Sequence, residues 1–329
     1  MSGPEAHPSG EIRSRVHSRF TRRQFLRRLG GLTALAGAAS VFGIFVEPTL
    51  RPRITRYDLR PERWPHELAL TIAVLADFHA CRPWMEPDRI RAIVAQANAL
   101  RADLIVLLGD YVAGHRFVTG AVDAAEWAHP LAELRAPLGV HAILGNHDWW
   151  QDRAVQRSGQ GPPYAKAALE AVGIRVYENE AVRMTKRAST FWLAGLGDQL
   201  AYWPSRHRRP SRRIGVDDLP ATLAQVNDKA PVILLAHEPD IMVNVPERVS
   251  LVLSGHTHGG QVRLFGWSPV VPSRFGNRFA YGHVREQCDL VVSGGLGCSI
   301  FPLRVGMPPE IVLLSVGSAA GGNSVVRPA

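Results

Sequence analysis

The sequence predicts an α/β domain built on a parallel sheet with both faces covered. Three observations carry that reading. Near-continuous apolar runs at Leu68–Leu75, Asp103–Leu108 and Val140–Leu144 have the length and composition of buried strands. Segments with helical apolar spacing, Pro87–Leu100 and Ala121–Leu134, separate them, so successive strands run the same way. Each run then ends in a polar cluster: Asp77-Phe78-His79, Gly109-Asp110 and Gly145-Asn146-His147-Asp148. Those clusters fall at the carboxyl edge, where sheets of this kind collect ligands.

Ahead of the domain, Met1–Phe20 is polar, lacks an apolar period and is expected to be disordered. Thr21-Arg22-Arg23-Gln24-Phe25-Leu26-Arg27-Arg28 follows, then an uncharged stretch, Leu29–Val46. As a helix its eighteen residues span roughly 27 Å, enough for a bilayer core. A basic flank near the N-terminus marks a membrane or signal segment rather than a core helix. The twin arginines before Phe-Leu resemble the signal of the twin-arginine (Tat) pathway, which implies export of the folded protein by the Tat translocase. No Ala-x-Ala follows the stretch, so residues 1–46 read as a disordered basic region plus an uncleaved anchor. The expected location is the outer face of the cytoplasmic membrane or the periplasm. Residues 47–66, rich in Arg and Pro, read as a linker, 67–317 as the folded domain and 318–329 as a flexible tail.

The second half continues with a helix at Tyr164–Val172 and strands at Arg175–Tyr177, Val182–Thr185 and Phe191–Ala194. A helix around Asp217–Val226 precedes a buried strand, Val232–Ala236, that ends at His237. Leu251–Leu253 ends at Gly255-His256-Thr257-His258, and Leu290–Val292 and Ile311–Leu314 close the domain.

The formal charge of +9 is uneven. Seven arginines against Glu5 and Glu11 within residues 1–30 account for five of it, and Arg206–Arg213 holds five more arginines. Two local patches do not make a nucleic-acid-binding face, and no nucleic-acid partner is expected. Arg206–Arg213 reads as a grip on an anionic substrate or lipid headgroup, or as a solvated loop. Three cysteines (81, 288, 298) without a Cys-x-x-Cys exclude a disulfide framework and a thiolate zinc site. One oxidised pair stays open.

Five of the thirteen histidines sit at strand-end corners, beside two aspartates and an asparagine. Isolated polar groups at a core edge are costly, so their convergence points to a shared ligand. Mixed imidazole and carboxylate donors favour Mn, Fe, Zn or Co over Ca or Mg.

The ordered set Asp77-Phe78-His79, Gly109-Asp110, Gly145-Asn146-His147-Asp148, His237 and Gly255-His256-Thr257-His258 resembles the calcineurin-like metallophosphoesterase superfamily. Gly109-Asp110-Tyr111-Val112, Trp149-Trp150, Gly255–Gln261, Gly295-Leu296-Gly297 and Pro302-Leu303-Arg304 further resemble its membrane-associated YkuE/YaeI-like bacterial branch. The resemblance covers about Glu67–Gly317. It implies two packed mixed β-sheets flanked by helices, a four-layer α/β/β/α fold, with two divalent metal ions. Carried over by position, Asp77, His79 and His258 bind the first metal, and Asn146, His237 and His256 the second. Asp110 bridges them, and His147 is the catalytic imidazole near the leaving group.

That set implies hydrolysis of a phosphoester by a metal-bound hydroxide. Asn146 in place of a third aspartate keeps the net charge positive for a phosphate. The expected bond is a phosphodiester, with phosphomonoesters and lipid-linked pyrophosphates open, among them UDP-2,3-diacylglucosamine of lipid A metabolism. The rival reading is a membrane-tethered metal-binding protein without catalysis. One departure stands out: many relatives place an acid or Arg three residues after the bridging aspartate, and here that residue is Ala113. Asp148 is therefore the candidate to orient His147. Tyr111, Trp149 and Trp150 read as core aromatics or a substrate wall, and Cys81 as packing.

Overall fold

The computed structural model describes residues 21–114, 117–203, 214–317 and 326–328. The expected disorder of Met1–Phe20 and the basic run Arg206–Arg213 lie outside the described residues, as does most of the expected tail. The chain divides between Ser40 and Val41. Up to that boundary runs α1 (Arg22–Val41). With the short helical turns after it, it makes the one helical run among the described residues, Arg22–Thr49, long and apolar enough to cross a membrane.

The strands beyond the boundary are β1 (Arg53–Leu59), β2 (Leu70–Leu75), β3 (Cys81–Arg82), β4 (Leu104–Leu107), β5 (Gly120–Ala121), β6 (Val140–Ala142), β7 (Arg175–Val176) and β8 (Glu180–Lys186). They continue with β9 (Ser189–Gly195), β10 (Val232–Leu235), β11 (Leu251–Ser254), β12 (Gly282–Arg285), β13 (Asp289–Val292), β14 (Glu310–Val316) and β15 (Val326–Pro328). The helices among them are α2 (Pro87–Ala99), α3 (Ala124–Leu131), α4 (Asn146–Trp150), α5 (Arg153–Ser158), α6 (Tyr164–Ala171) and α7 (Leu219–Ala224).

Among the described residues a seven-stranded sheet has the order β15-β1-β14-β2-β4-β6-β7, a six-stranded sheet the order β12-β13-β11-β10-β9-β8, and β3 pairs with β5 alone. The predicted parallel set is present: β2, β4 and β6 pair in parallel. Strand β14, antiparallel to β2, makes that sheet mixed. In the second sheet β9, β10, β11 and β13 are parallel, with antiparallel β8 and β12 at the edges.

The strand period of two sorts the apolar runs between two cores. Ile72, Val74 and Val106 meet Leu193, Ile233 and Leu253 between the sheets. Ala73, Leu75 and Ile105 instead pack under Ile90 and Ile93 of α2 and Trp127 of α3. On the far side of the second sheet, Leu234 and Val252 pack with Leu219, Met242 and Phe279. The result is the implied four layers, with each fully buried aliphatic side chain stabilising by about 1.5–3 kcal/mol.

Two expectations fail here. The linker at residues 47–66 contains β1, paired along its length with β14. Tyr57 and Leu59 are buried, and Thr55 bonds the buried Glu310 carboxylate. Arg and Pro set the composition of the segment, but alternation decides its fate. The tail, in turn, adds β15 antiparallel to β1. Among the described residues no disulfide joins Cys81, Cys288 or Cys298.

Candidate metal centre

Each predicted corner lies just beyond the carboxyl end of a strand: Asp77 after β2, Asp110 after β4, Asn146 after β6, His237 after β10, and His256 and His258 after β11. The two sheets thus aim their loops at one place. Backbone φ is left-handed at Asp77 (+57°), His79 (+49°), Asp110 (+58°), His256 (+67°) and His258 (+51°). Each such residue costs of order 1–3 kcal/mol, which the packed sheets must offset. Glycine allows the close approach that remains. A Cβ on Gly145 would stand 2.4 Å from Asp110 Oδ1, and one on Gly255 2.7 Å from Asp77 Oδ2.

Two donor groups result. Ligand atoms of Asp77, His79, Asp110 and His258 lie within 4.8 Å of one another, and so do those of Asp110, His237 and His256. Asp110 belongs to both. Its Oδ2 is 3.5 Å from His79 Nε2 and 3.3 Å from His237 Nε2. His258 Nε2 stands 3.5 Å from Asp77 Oδ1 and 3.0 Å from His79 Nε2. Asn146 Oδ1 joins the second group, 2.8 Å from His256 Nδ1 and 3.2 Å from His237 Nε2. None of the seven side chains' residues is more than 9% exposed.

The family model described as calcineurin-like phosphoesterase matches residues 70–260, the span that carries all seven. The chain belongs to the calcineurin-like phosphoesterase family. This phosphoesterase-family chain is 28% identical to the metallophosphoesterase YkuE of Bacillus subtilis, over 91% of the chain and 99% of YkuE. It is 31% identical to the phosphodiesterase YaeI of Escherichia coli, over 74% of the chain and 81% of YaeI. It is also 27% identical to a transmembrane protein with a metallophosphoesterase domain from Danio rerio, over 84% of the chain and 60% of that protein.

The donors of this phosphoesterase-family site fit divalent cations. Asp77 Oδ2 is buried and has no hydrogen-bond partner among the described residues. Burial, with Asp110 nearby, pushes the Asp77 carboxyl up to about 7, although His237 pulls the other way. Burial also disfavours charge on Asp110, but the imidazoles of His237, His147 and His79 outweigh it and hold Asp110 well below the usual range. Burial depresses His256, and burial with His79 and Arg304 depresses His258. His237 is the exception: burial opposes its charge, but the Asp110 carboxylate outweighs burial and raises it well above the usual imidazole range. The buried carboxylates beside the neutral His256 and His258 still make a lone-pair donor set. Family and clustering together point to a dinuclear divalent centre.

His147, in α4, stands edge-on to His79 with ring centroids 4.8 Å apart. Its Nε2 lies 3.2 Å from Ser299 Oγ. Its Nδ1 is buried and has no hydrogen-bond partner among the described residues, with Gly114 so close that a Cβ there would lie 2.3 Å away. Asp148 does not orient this ring. Its carboxylate accepts from the backbone N–H groups of Asp110 (2.9 Å), Tyr111 (2.8 Å), Gly145 (2.9 Å) and Val112 (3.3 Å). The third residue of a helix turns its side chain back over the first turn, where those amides lie.

Tyr111 and Trp149 are core residues, as is Cys81. Trp150 is half-buried, 5.2 Å from His147, and stacks at 4.4 Å on the exposed Trp203. Sequence reasoning missed Ser299, and no local pattern marks it. Arg304, which the sequence marked only as part of the branch pattern, is fully buried beside the site: it donates to the carbonyls of Gly294 and Met307 and lies 3.3 Å from His258 Nδ1. Buried Asp198, just after β9, was detectable by the strand-end rule that found the other corners.

Proposed function

We propose that this protein is a dinuclear-metal phosphoesterase that hydrolyses phosphodiester bonds. The observation that carries the reading is the Asp110 carboxylate shared by two buried donor groups. In this reading Asp77, His79 and His258 would hold one cation and Asn146, His237 and His256 the other, with Asp110 offering a donor to both. When bound, the cations supply Lewis acidity at the phosphoryl oxygens and activate a water for attack on phosphorus. Asp110 stays ionised through its surrounding imidazoles. His147 would serve as proton donor to the departing oxygen, a charge that burial disfavours and the nearby Asp110 carboxylate favours, with Ser299 fixing the angle of its ring. The name of the YaeI relative supports a diester bond.

The helical run Arg22–Thr49 supports attachment to a membrane, and Arg22-Arg23 supports export by the Tat translocase with the folded unit on the outer face. The test is hydrolysis of bis-p-nitrophenyl phosphate by Mn²⁺-loaded protein beside a His256→Ala control. Equal rates in the two proteins reject the reading.

A further inference from the structure

Exposed aromatic side chains mark a route from the start of the larger unit to the candidate centre. The Phe45 ring lies 6.0 Å from that of Trp84. The Trp84 indole N–H donates to the Phe117 carbonyl at 2.9 Å, and the Phe117 ring lies 5.3 Å from Phe301. Two residues before Phe301, Ser299 touches His147. Phe45, Phe117, Ile300 and Phe301 are each more than half exposed.

Backbone pairing extends this surface. Arg263 N donates to Val305 O and Val305 N to Gln261 O, both at 2.9 Å. From that strip projects a tight turn closed by reciprocal backbone bonds between Leu264 and Trp267. Leu264 and Trp267 are more than half exposed, and Phe265 at the tip is fully so.

Scattered apolar residues are ordinary on a surface, but a connected aromatic set marks an interaction site. The chain that enters it identifies the occupant. Phe45 belongs to the last turns of the run long and apolar enough to cross a membrane. Those turns are fixed to the fold beside the strip. Arg304 N donates to Gly43 O at 2.8 Å and Gly306 N to Glu47 Oε2 at 3.1 Å. The Arg89 guanidinium holds the carbonyls of Pro48, Thr49 and Leu50 at 2.7–3.0 Å. The aromatic strip therefore cannot drift away from the end of the apolar run.

We propose that this strip is a bilayer-docking surface. Phe45, Phe117, Phe301 and the Leu264–Trp267 turn sink into the boundary between headgroups and acyl chains, where Trp and Phe side chains are favoured. The mouth of the centre then opens at headgroup level, and the substrate is a phosphoester amphiphile taken from the membrane. Docking stands independently of the chemistry, whereas the substrate class rests on the phosphoesterase reading above.

The test uses the full chain in phosphatidylethanolamine–phosphatidylglycerol vesicles, with or without dibrominated acyl chains. The emission difference between wild type and Trp267→Tyr isolates Trp267. Docking predicts that brominated lipid quenches most of this difference, and equal emission in both lipids overturns it. In parallel, Mn²⁺-loaded protein is given hexadecyl p-nitrophenyl phosphate in vesicles and bis-p-nitrophenyl phosphate in solution. The amphiphile is expected to turn over severalfold faster, and Phe265→Ser to lose that advantage while keeping the soluble rate. An equal preference overturns the substrate class alone. Quenching without turnover of either diester keeps the docking and rejects the phosphoesterase reading.

Discussion

Ser299 Oγ lies 3.2 Å from Nε2 of His147, a pairing across 152 residues. It is the one hydrogen bond to the His147 ring among the described residues, since Nδ1 has no partner. Ser299→Ala is expected to free the ring and to lower kcat by roughly 3- to 10-fold, the equivalent of one hydrogen bond of about 1 kcal/mol. KM and the melting temperature should stay at wild-type values. Unchanged kcat on bis-p-nitrophenyl phosphate would show that Ser299 does not position the imidazole.

Asp148 and His147 are neighbours with opposite signatures. The four backbone N–H groups divide two to each carboxylate oxygen, so an amide at 148 keeps an acceptor for one pair and turns its NH2 against the other. Asp148→Asn should destabilise the fold by about 3 kcal/mol, as expected for unpaired buried donors. His147→Ala should abolish turnover and leave stability nearly intact. Thermal unfolding of the two variants separates the roles, and equal melting temperatures would contradict the clamp assigned to Asp148.

What could be read in advance follows from where the information sits. Asp77, Asp110, Asn146 and His237 each follow a buried apolar run, so strand and site announce each other. The work of Asp148 was hidden because backbone amides carry no side-chain letter. Strand β1 was hidden because Arg56 and Asp58 alternate with the buried Thr55, Tyr57 and Leu59, and composition counts both faces alike. Ser299 reaches His147 only through the tertiary fold, which no spacing rule encodes.

Metal removal gives a third check. If both donor groups bind, chelation should cost about 2.7 kcal/mol per site relative to metal at a hundred times its dissociation constant. The melting temperature should fall by several degrees and recover with Mn²⁺. Asp110→Ala, which strips a donor from both groups, should lower measured metal content toward zero rather than halve it. Retention of two ions by that variant would rule out a shared carboxylate.

Asp228 supplies a pH prediction away from the centre. The Trp192 indole N–H, the Ala230 backbone N–H and Arg183 hold its carboxylate down to about 2, from an ordinary 3.8. A depressed folded value means the stabilisation is fully present above the unfolded value and disappears as pH falls through the folded one. Asp228→Ala should therefore melt below wild type at neutral pH, with the gap closing between about pH 4 and pH 2. A gap of constant size across that window would exclude the linkage.

Strand β14 lies between β1 and β2, and the Thr55–Glu310 contact joins positions 255 residues apart. During synthesis on the ribosome, β1 and β2 emerge early and wait with open edges until nearly the whole chain has been made. Long-range closure of this kind is slow, and exposed edges invite aggregation. Truncation before Glu310 should leave a nascent chain that depends on chaperones and accumulates in inclusion bodies.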